Sequence, residues 1–116
     1  MSENEFQIQI LMADEAVPGF LADSDLAASG VHIKDTKPAE KTATLGFDLV
    51  GAITIISAVV NTLSDIGGLV APLARLFKKS PKRVVVTTAL GTVTLDPKRA
   101  LSEAEIRKLL NKLATL

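Results

Sequence analysis

Residues 51–80 read GAITIISAVVNTLSDIGGLVAPLARLFKKS, and the structure that this apolar stretch adopts decides the fold. Residues 49–64 are an uncharged run of sixteen that ends at Asp65. A membrane-spanning helix needs about 20 mostly apolar residues. Extending the run past Asp65 would place a carboxylate in the membrane at a cost of about 2.5–3.5 kcal/mol. The stretch therefore disfavours a span and favours a helix packed against protein.

The spacing of apolar residues predicts how this helix is built. From Ile56 to Phe77 an apolar residue recurs every three or four positions, which is the period of one helix face. The pattern predicts one long apolar helix over residues 45–79, or two helices joined near Gly67-Gly68. We expect a kink or restart at Pro72, because proline cannot donate the helical hydrogen bond.

Such a helix would be longer than the rest of the fold. About 33 residues extend about 50 Å, whereas strands of five or six residues extend only about 20 Å. The overhanging apolar face predicts a surface for self-association or for a partner. The apolar residues assigned to this surface are Ile53, Ile56, Val59, Val60, Leu63, Leu69 and Leu76.

The segments before this stretch predict two strands and a short helix. Alternating apolar and polar residues from Phe6 to Met12 indicate a strand with one buried face. Residues 20–27 have helical spacing and end before Gly30, and residues 31–33 form a brief strand. Residues 35–44 are typical of a polar loop, so we expect this segment and residues 1–5 to be flexible.

The segments after the stretch predict a hairpin and a capped helix. Two β-branched runs, 84–88 and 92–95, flank Gly91, which can adopt the positive φ of a tight turn. Ser102 and Glu105 form a capping box before a C-terminal helix. The predicted fold is α+β in the order β-α-β-α-β-β-α, a single domain over residues 1–116 with a sheet of about four strands. The apolar stripe of the last helix is Ile106, Leu109, Leu110 and Leu113.

Composition excludes several kinds of chemistry. The chain has no cysteine, Trp or Tyr and one histidine, His32, with no arranged carboxylate pair beside it. We expect no catalytic residues, no metal site and no cofactor, and therefore no enzyme activity. The scarcity of aromatic residues also argues against nucleic acid as a partner. The acidic N-terminus, MSENEFQIQI, lacks the features of an export signal, and we expect a cytoplasmic protein.

Charge is distributed unevenly along the chain. The segment up to Asp65 has a net charge of −7 and the segment from Ile66 has +7. This polarity suggests that copies stack with acidic against basic surfaces, although charged solvated faces alone would also produce it. A basic cluster could contact phosphates or anionic lipid heads, or it could be a solvated helix end where cations favour the helix dipole. The cluster consists of Lys78, Lys79, Lys82 and Arg83.

The ordered motifs resemble a known family. The quoted motifs are FLADSDLAASGVHI, the long apolar stretch LGFDLVGAITIISAVVNTLSDIGGLVAPLARLFKKS, the hairpin VVVTTALGTVTLD and the terminal capped helix. Together they are similar to the effector-associated constant component domains of bacterial conflict systems. The resemblance implies a non-enzymatic adaptor encoded beside a separate effector in a defence or signalling system, and it supplies no catalytic residues.

Two functional hypotheses follow. The first is an interaction module that forms a homo-oligomer or binds a separately encoded effector through the long apolar helix. The alternative is a small membrane-docking protein in which residues 51–77 insert and the basic cluster meets anionic lipids.

Overall fold

A single antiparallel sheet organises the part of the chain that the computed structural model describes, which is residues 6–38, 53–79, 82–96 and 102–113. Within these ranges the sheet has five strands in the order β2-β3-β1-β4-β5, so β1 is central and β2 and β5 are the edges. The strands are β1 (Phe6–Ala13), β2 (Val31–Pro38), β3 (Ile53–Val60), β4 (Val84–Thr88) and β5 (Gly91–Leu95).

The helices of the described ranges pack on one face of this sheet. The largest fully buried side chains include Ile10 of β1, Leu73 of α3 and Ile106 of α4, and they belong to one continuous core. Two 3-10 helices, Asp14–Ala16 and Leu63–Leu69, join strands to helices. The α-helices are α1 (Val17–Leu21), α2 (Ser24–Ala27), α3 (Val70–Lys79) and α4 (Glu103–Asn111). The α+β class is therefore confirmed.

The prediction of one long helix over residues 45–79 is wrong. Residues 53–60 form β3, which pairs antiparallel with β1 on one side and β2 on the other. A strand with apolar residues on both faces reads as a nearly continuous apolar run, which periodicity cannot distinguish from a buried helix. Here the β-branched residues at 53–56, Ile-Thr-Ile-Ile, favour the strand. In the described part of this stretch, the helical residues are the 3-10 helix Leu63–Leu69 and α3, and residues 45–52 lie outside the described residues.

Two further details of the prediction are corrected. The sheet has five strands instead of about four and the elements follow a different order, since residues 53–60 of the predicted helix form β3. The prediction of a polar loop is wrong over residues 35–38, because β2 continues to Pro38 alongside β3. Residues 1–5 and 39–44, the rest of the predicted flexible segments, lie outside the described residues. Pro72 lies in the first turn of α3, where a missing N–H costs no helical bond.

The elements with strong local signals are confirmed. β1 begins at Phe6, and β4 and β5 form the predicted hairpin with Gly91 at φ 146°. Ser102 caps α4. The Ser102 hydroxyl accepts the backbone N–H of Glu105 at 3.2 Å, and the backbone N–H of Ser102 donates to the Glu105 carboxylate at 3.3 Å. Of the predicted α4 stripe, Ile106, Leu110 and Leu113 are buried and Leu109 is partly buried against the same core.

Close contact with Ser29 requires glycine at position 68 but not at position 67. A Cβ placed on Gly68 would lie 2.6 Å from the Cβ of Ser29, whereas a Cβ on Gly67 would meet only an Arg107 nitrogen at 3.6 Å. Ser29 cannot easily yield, because its hydroxyl donates to the Leu26 carbonyl at 2.7 Å and accepts the Val31 N–H at 3.1 Å. The segment before α3 is therefore held tightly against the turn that leads into β2.

This contact predicts different effects for two adjacent substitutions. Gly68→Ala should lower the free energy of unfolding by about 1–3 kcal/mol, because the added methyl overpacks a fixed contact. Gly67→Ala is the matched control and should be neutral or stabilising by up to about 1 kcal/mol, because alanine favours helical backbone. Urea denaturation followed by circular dichroism measures both. Equal effects of the two substitutions would contradict the assigned contact.

Candidate interaction surface

The two edges of the sheet are the places where another chain could add a strand. An edge strand exposes a row of unpaired backbone N–H and C=O groups, and proteins commonly protect such edges with charges, proline or bulges. The edges of the described sheet, β2 and β5, differ in this protection.

The edge at β2 has several protective features. Its pairing with β3 shifts between Ile33 and Asp35, which is a bulge or irregularity at Lys34. The Asp35 carboxylate accepts the N–H of Thr36 at 2.9 Å. This backbone donor is therefore already bonded to a side chain of its own strand. Lys37 is exposed and Pro38 ends the strand. An incoming strand would have to break a local hydrogen bond and accommodate three charged side chains.

The edge at β5 shows none of these protective features among the described residues. Its five residues, Gly91–Leu95, contain no charge and no proline, and their register with β4 is continuous. Thr88 pairs with Gly91 across a two-residue turn, so these two residues form the hydrogen-bonded pair next to the turn. Since bonding alternates along an antiparallel pair, the backbone groups of Thr92 and Thr94 point away from β4.

The turn next to β5 is ordered and apolar. The N–H of Leu90 donates to the Thr88 hydroxyl at 3.0 Å, and the Leu90 side chain is 39% exposed. One exposed apolar side chain, Leu90, therefore lies at the turn end of the β5 edge.

The structure does not gather the predicted interaction residues into one surface. Most of the apolar ones face the core: Ile56, Val60, Leu69 and Leu76 are buried in it, and Leu63 is partly buried against it. Val59 and Ile53 lie on the opposite face of the sheet, the first buried and the second partly buried. The predicted apolar helix face therefore does not exist as a docking surface.

The basic cluster is divided in a similar way. Lys78 and Lys79 are exposed in the last turn of α3, where cations favour the helix dipole. Lys82 pairs with Glu15 at 3.0 Å, and Arg83 pairs with Asp96 at 3.5 Å. Two of the four basic side chains therefore form ion pairs with acidic side chains of the same chain.

Long-range ion pairs also neutralise part of the charge polarity along the sequence. Arg75 on α3 donates to both carboxylate oxygens of Asp23, at 2.8 and 3.0 Å, and contacts Asp25 as well. Asp23 is also the N-cap of α2, since it accepts the Asp25 N–H at 2.8 Å. Hydrogen bonding to Arg75 is the main reason that the pKa of Asp23 is lowered to about 2, and the same bonds raise the pKa of Arg75.

The described residues offer no other evident functional site. Nowhere in the described ranges do three or more metal-ligating side chains cluster in a way that could hold an ion. None of the helices in those ranges has the length and apolar content to cross a bilayer. His32 is an exposed side chain on β2.

Sequence reasoning missed the open edge. Thr92 and Thr94 were assigned to a strand of the hairpin, but the sequence does not show which strand ends the sheet. The available signal was a terminal hairpin strand without charge or proline, in contrast to the charged segment 34–38.

Comparison with known proteins adds no relative. No family model, no curated protein and no solved structure matches the chain.

The Asp23–Arg75 pair predicts a pH dependence of stability. The folded pKa of Asp23, about 2, lies below the ordinary value of 3.8, so the pair stabilises the fold fully above about pH 4. This contribution is lost as the pH falls toward 2. Asp23→Asn should lower the urea midpoint at pH 7 and flatten its decline below pH 4, while asparagine still caps α2.

Asp35→Asn is the matched control, because it removes the same charge from a carboxylate whose lysine neighbour is 4.0 Å away and exposed. Its urea midpoints between pH 7 and pH 2.5 should run parallel to those of the wild type. A parallel profile for Asp23→Asn would contradict the role assigned to the pair.

Proposed function

We propose that this protein is a non-enzymatic interaction module that recruits or regulates a separately encoded effector by accepting a strand at the open edge of β5. The observation that carries this proposal is the difference between the two edges: β2 has a bulge, charges and proline, and β5 has none of them.

The backbone geometry of β5 supports strand addition. Thr92 and Thr94 together present two N–H and two C=O groups, so an added strand gains up to four hydrogen bonds, each contributing about 0.5–1.5 kcal/mol. These backbone hydrogen bonds do not depend on the side chains of the added strand. Selectivity would come from side-chain contacts, and the exposed Leu90 at the turn offers an apolar one.

The burial of the apolar residues that the sequence predicted as the interaction surface also favours the β5 edge. Ile56, Val60, Leu69 and Leu76 already form the core, so a partner reaching them would have to unfold the domain. The long helix cannot serve as the docking surface or as a membrane insert, because residues 53–60 are a strand with partners on both sides. The interaction function is therefore assigned to a different surface from the one that the sequence predicted.

The resemblance to effector-associated constant component domains supports a separately encoded effector as the partner. Such an adaptor would act in the cytoplasm of a bacterium, beside an effector encoded by a neighbouring gene, in a defence or signalling system. On this proposal the chain supplies binding and the effector supplies the chemistry.

Co-expression tests the proposal. The tagged chain is produced with each protein encoded by the adjacent genes, one at a time, and the affinity of each co-purifying pair is measured by calorimetry. Thr94→Pro removes an outward N–H at an edge position where a strand tolerates proline, and Thr92→Lys adds a charge to the edge. Each should weaken binding by at least about tenfold.

Thr36→Lys is the matched control, since it places the same charge on the protected edge β2 and should leave affinity unchanged. The proposal fails if no neighbouring product binds, or if a product binds equally well to the wild type and to both β5 variants.

A further inference from the structure

We propose that, in the absence of an effector, a second copy of this chain occupies the open edge, with β5 of one copy paired antiparallel to β5 of the other about a two-fold axis. This inference rests on the interaction role proposed for that edge, and it identifies a competing occupant of the same backbone groups.

The hydrogen-bonding geometry fixes the register of this dimer. Only Thr92 and Thr94 of β5 direct their backbone groups outward, so each must lie opposite an outward-directed residue of the second copy. Pairing Thr92 with Thr94 of the copy satisfies both residues on both chains. The two-fold axis then passes between the two Val93 residues, and two reciprocal pairs give four backbone hydrogen bonds.

The side chains are compatible with this register. The hydroxyls of Thr87 and Thr92 lie 3.2 Å apart on the sheet face opposite the helices, and Thr94 lies on the same face. The dimer extends this row, since it places Thr92 beside Thr94 of the copy, and cross-strand threonine pairs are favourable in sheets. The strand carries no charge, so identical strands meet without repulsion.

The other edge does not permit the same arrangement. Two β2 strands would bring Lys34 and Lys37 of both copies together and would break the bond between Asp35 and the Thr36 N–H. Self-pairing at β5 is therefore favoured on grounds of charge and of satisfied donors.

The dimer has a consequence for regulation. The copy and an effector strand use the same four backbone groups, so the two occupants exclude each other. A five-residue edge is small compared with a stable interface, which buries about 1,200–2,000 Å². The dimer should therefore be weak, depend on concentration and yield to an effector that adds contacts at Leu90.

Sedimentation equilibrium of the purified chain tests the dimer. From micromolar to millimolar concentration the mass should rise from 12.2 kDa toward twice that value. Thr94→Pro and Thr92→Lys should remain monomeric throughout, and Thr36→Lys should behave like the wild type. Amide exchange of the wild type provides a readout without substitution: the Thr92 and Thr94 amides should gain protection as concentration rises.

Crosslinking tests the register, because the chain has no cysteine and a single one can be introduced. In the proposed register Thr92 and Thr92 of the copy are diagonal neighbours about 7–8 Å apart. Thr92→Cys should give a covalent dimer with a short bismaleimide, and Thr36→Cys, on the opposite edge, should give none.

The inference is overturned by a monomer at every concentration, by a dimer that survives both β5 variants, or by equal crosslinking at the two cysteine positions. All of these measurements use the chain alone. A monomeric result would thus leave effector binding to its own test, and a dimer without any binding neighbour would refute the effector proposal only.

Discussion

The fold depends on the pairing of β3 with a neighbour on each side. Eight residue pairs join β3 to β1, and a further seven join it to β2. This double pairing satisfies the backbone of the most apolar part of the chain and places Ile56, Ala58 and Val60 in the core. A strand with a neighbour on each side has no edge left for a partner chain. What remains for a partner is therefore decided at the edges of the sheet and not by its most hydrophobic segment.

The sequence predicts those elements whose signals are local. The capping box at Ser102, the alternation in β1 and the turn at Gly91 each specify structure within a few residues, and all three are found. The structure of residues 53–60 depends instead on partners more than 15 residues away in the sequence. An apolar run with three- and four-residue spacings is compatible with both a helix and a strand that is apolar on both faces, and only the β-branched content favours the strand.

The candidate site is hidden in the sequence for a related reason. Thr92 and Thr94 resemble residues of any solvent-facing strand. Their importance comes from the position of β5 at the end of the sheet, which depends on β1 inserting between β3 and β4. The charge pattern of the sequence is misleading for a similar reason. The acidic and basic segments are separate along the chain, but some of their charged side chains are neighbours in the folded structure. Arg75 meets Asp23 and Asp25, and Lys82 meets Glu15, so residues of opposite sequence halves neutralise each other.

The unequal treatment of the two edges has a consequence for assembly. An unprotected edge tends to recruit strands without limit, which is why natural sheets usually block it. Here the block exists at β2 alone. If β5 pairs with its own copy, the two open edges close each other and the free ends of the combined sheet are the two protected β2 strands. An isologous contact of this kind ends at a dimer, whereas a contact between β5 and β2 would propagate into a fibre. On this proposal, the bulge at Lys34 and the bond from the Thr36 N–H to Asp35 would have the same effect as the outward-facing backbone of Thr92 and Thr94: together they would limit strand addition to one edge and to one step.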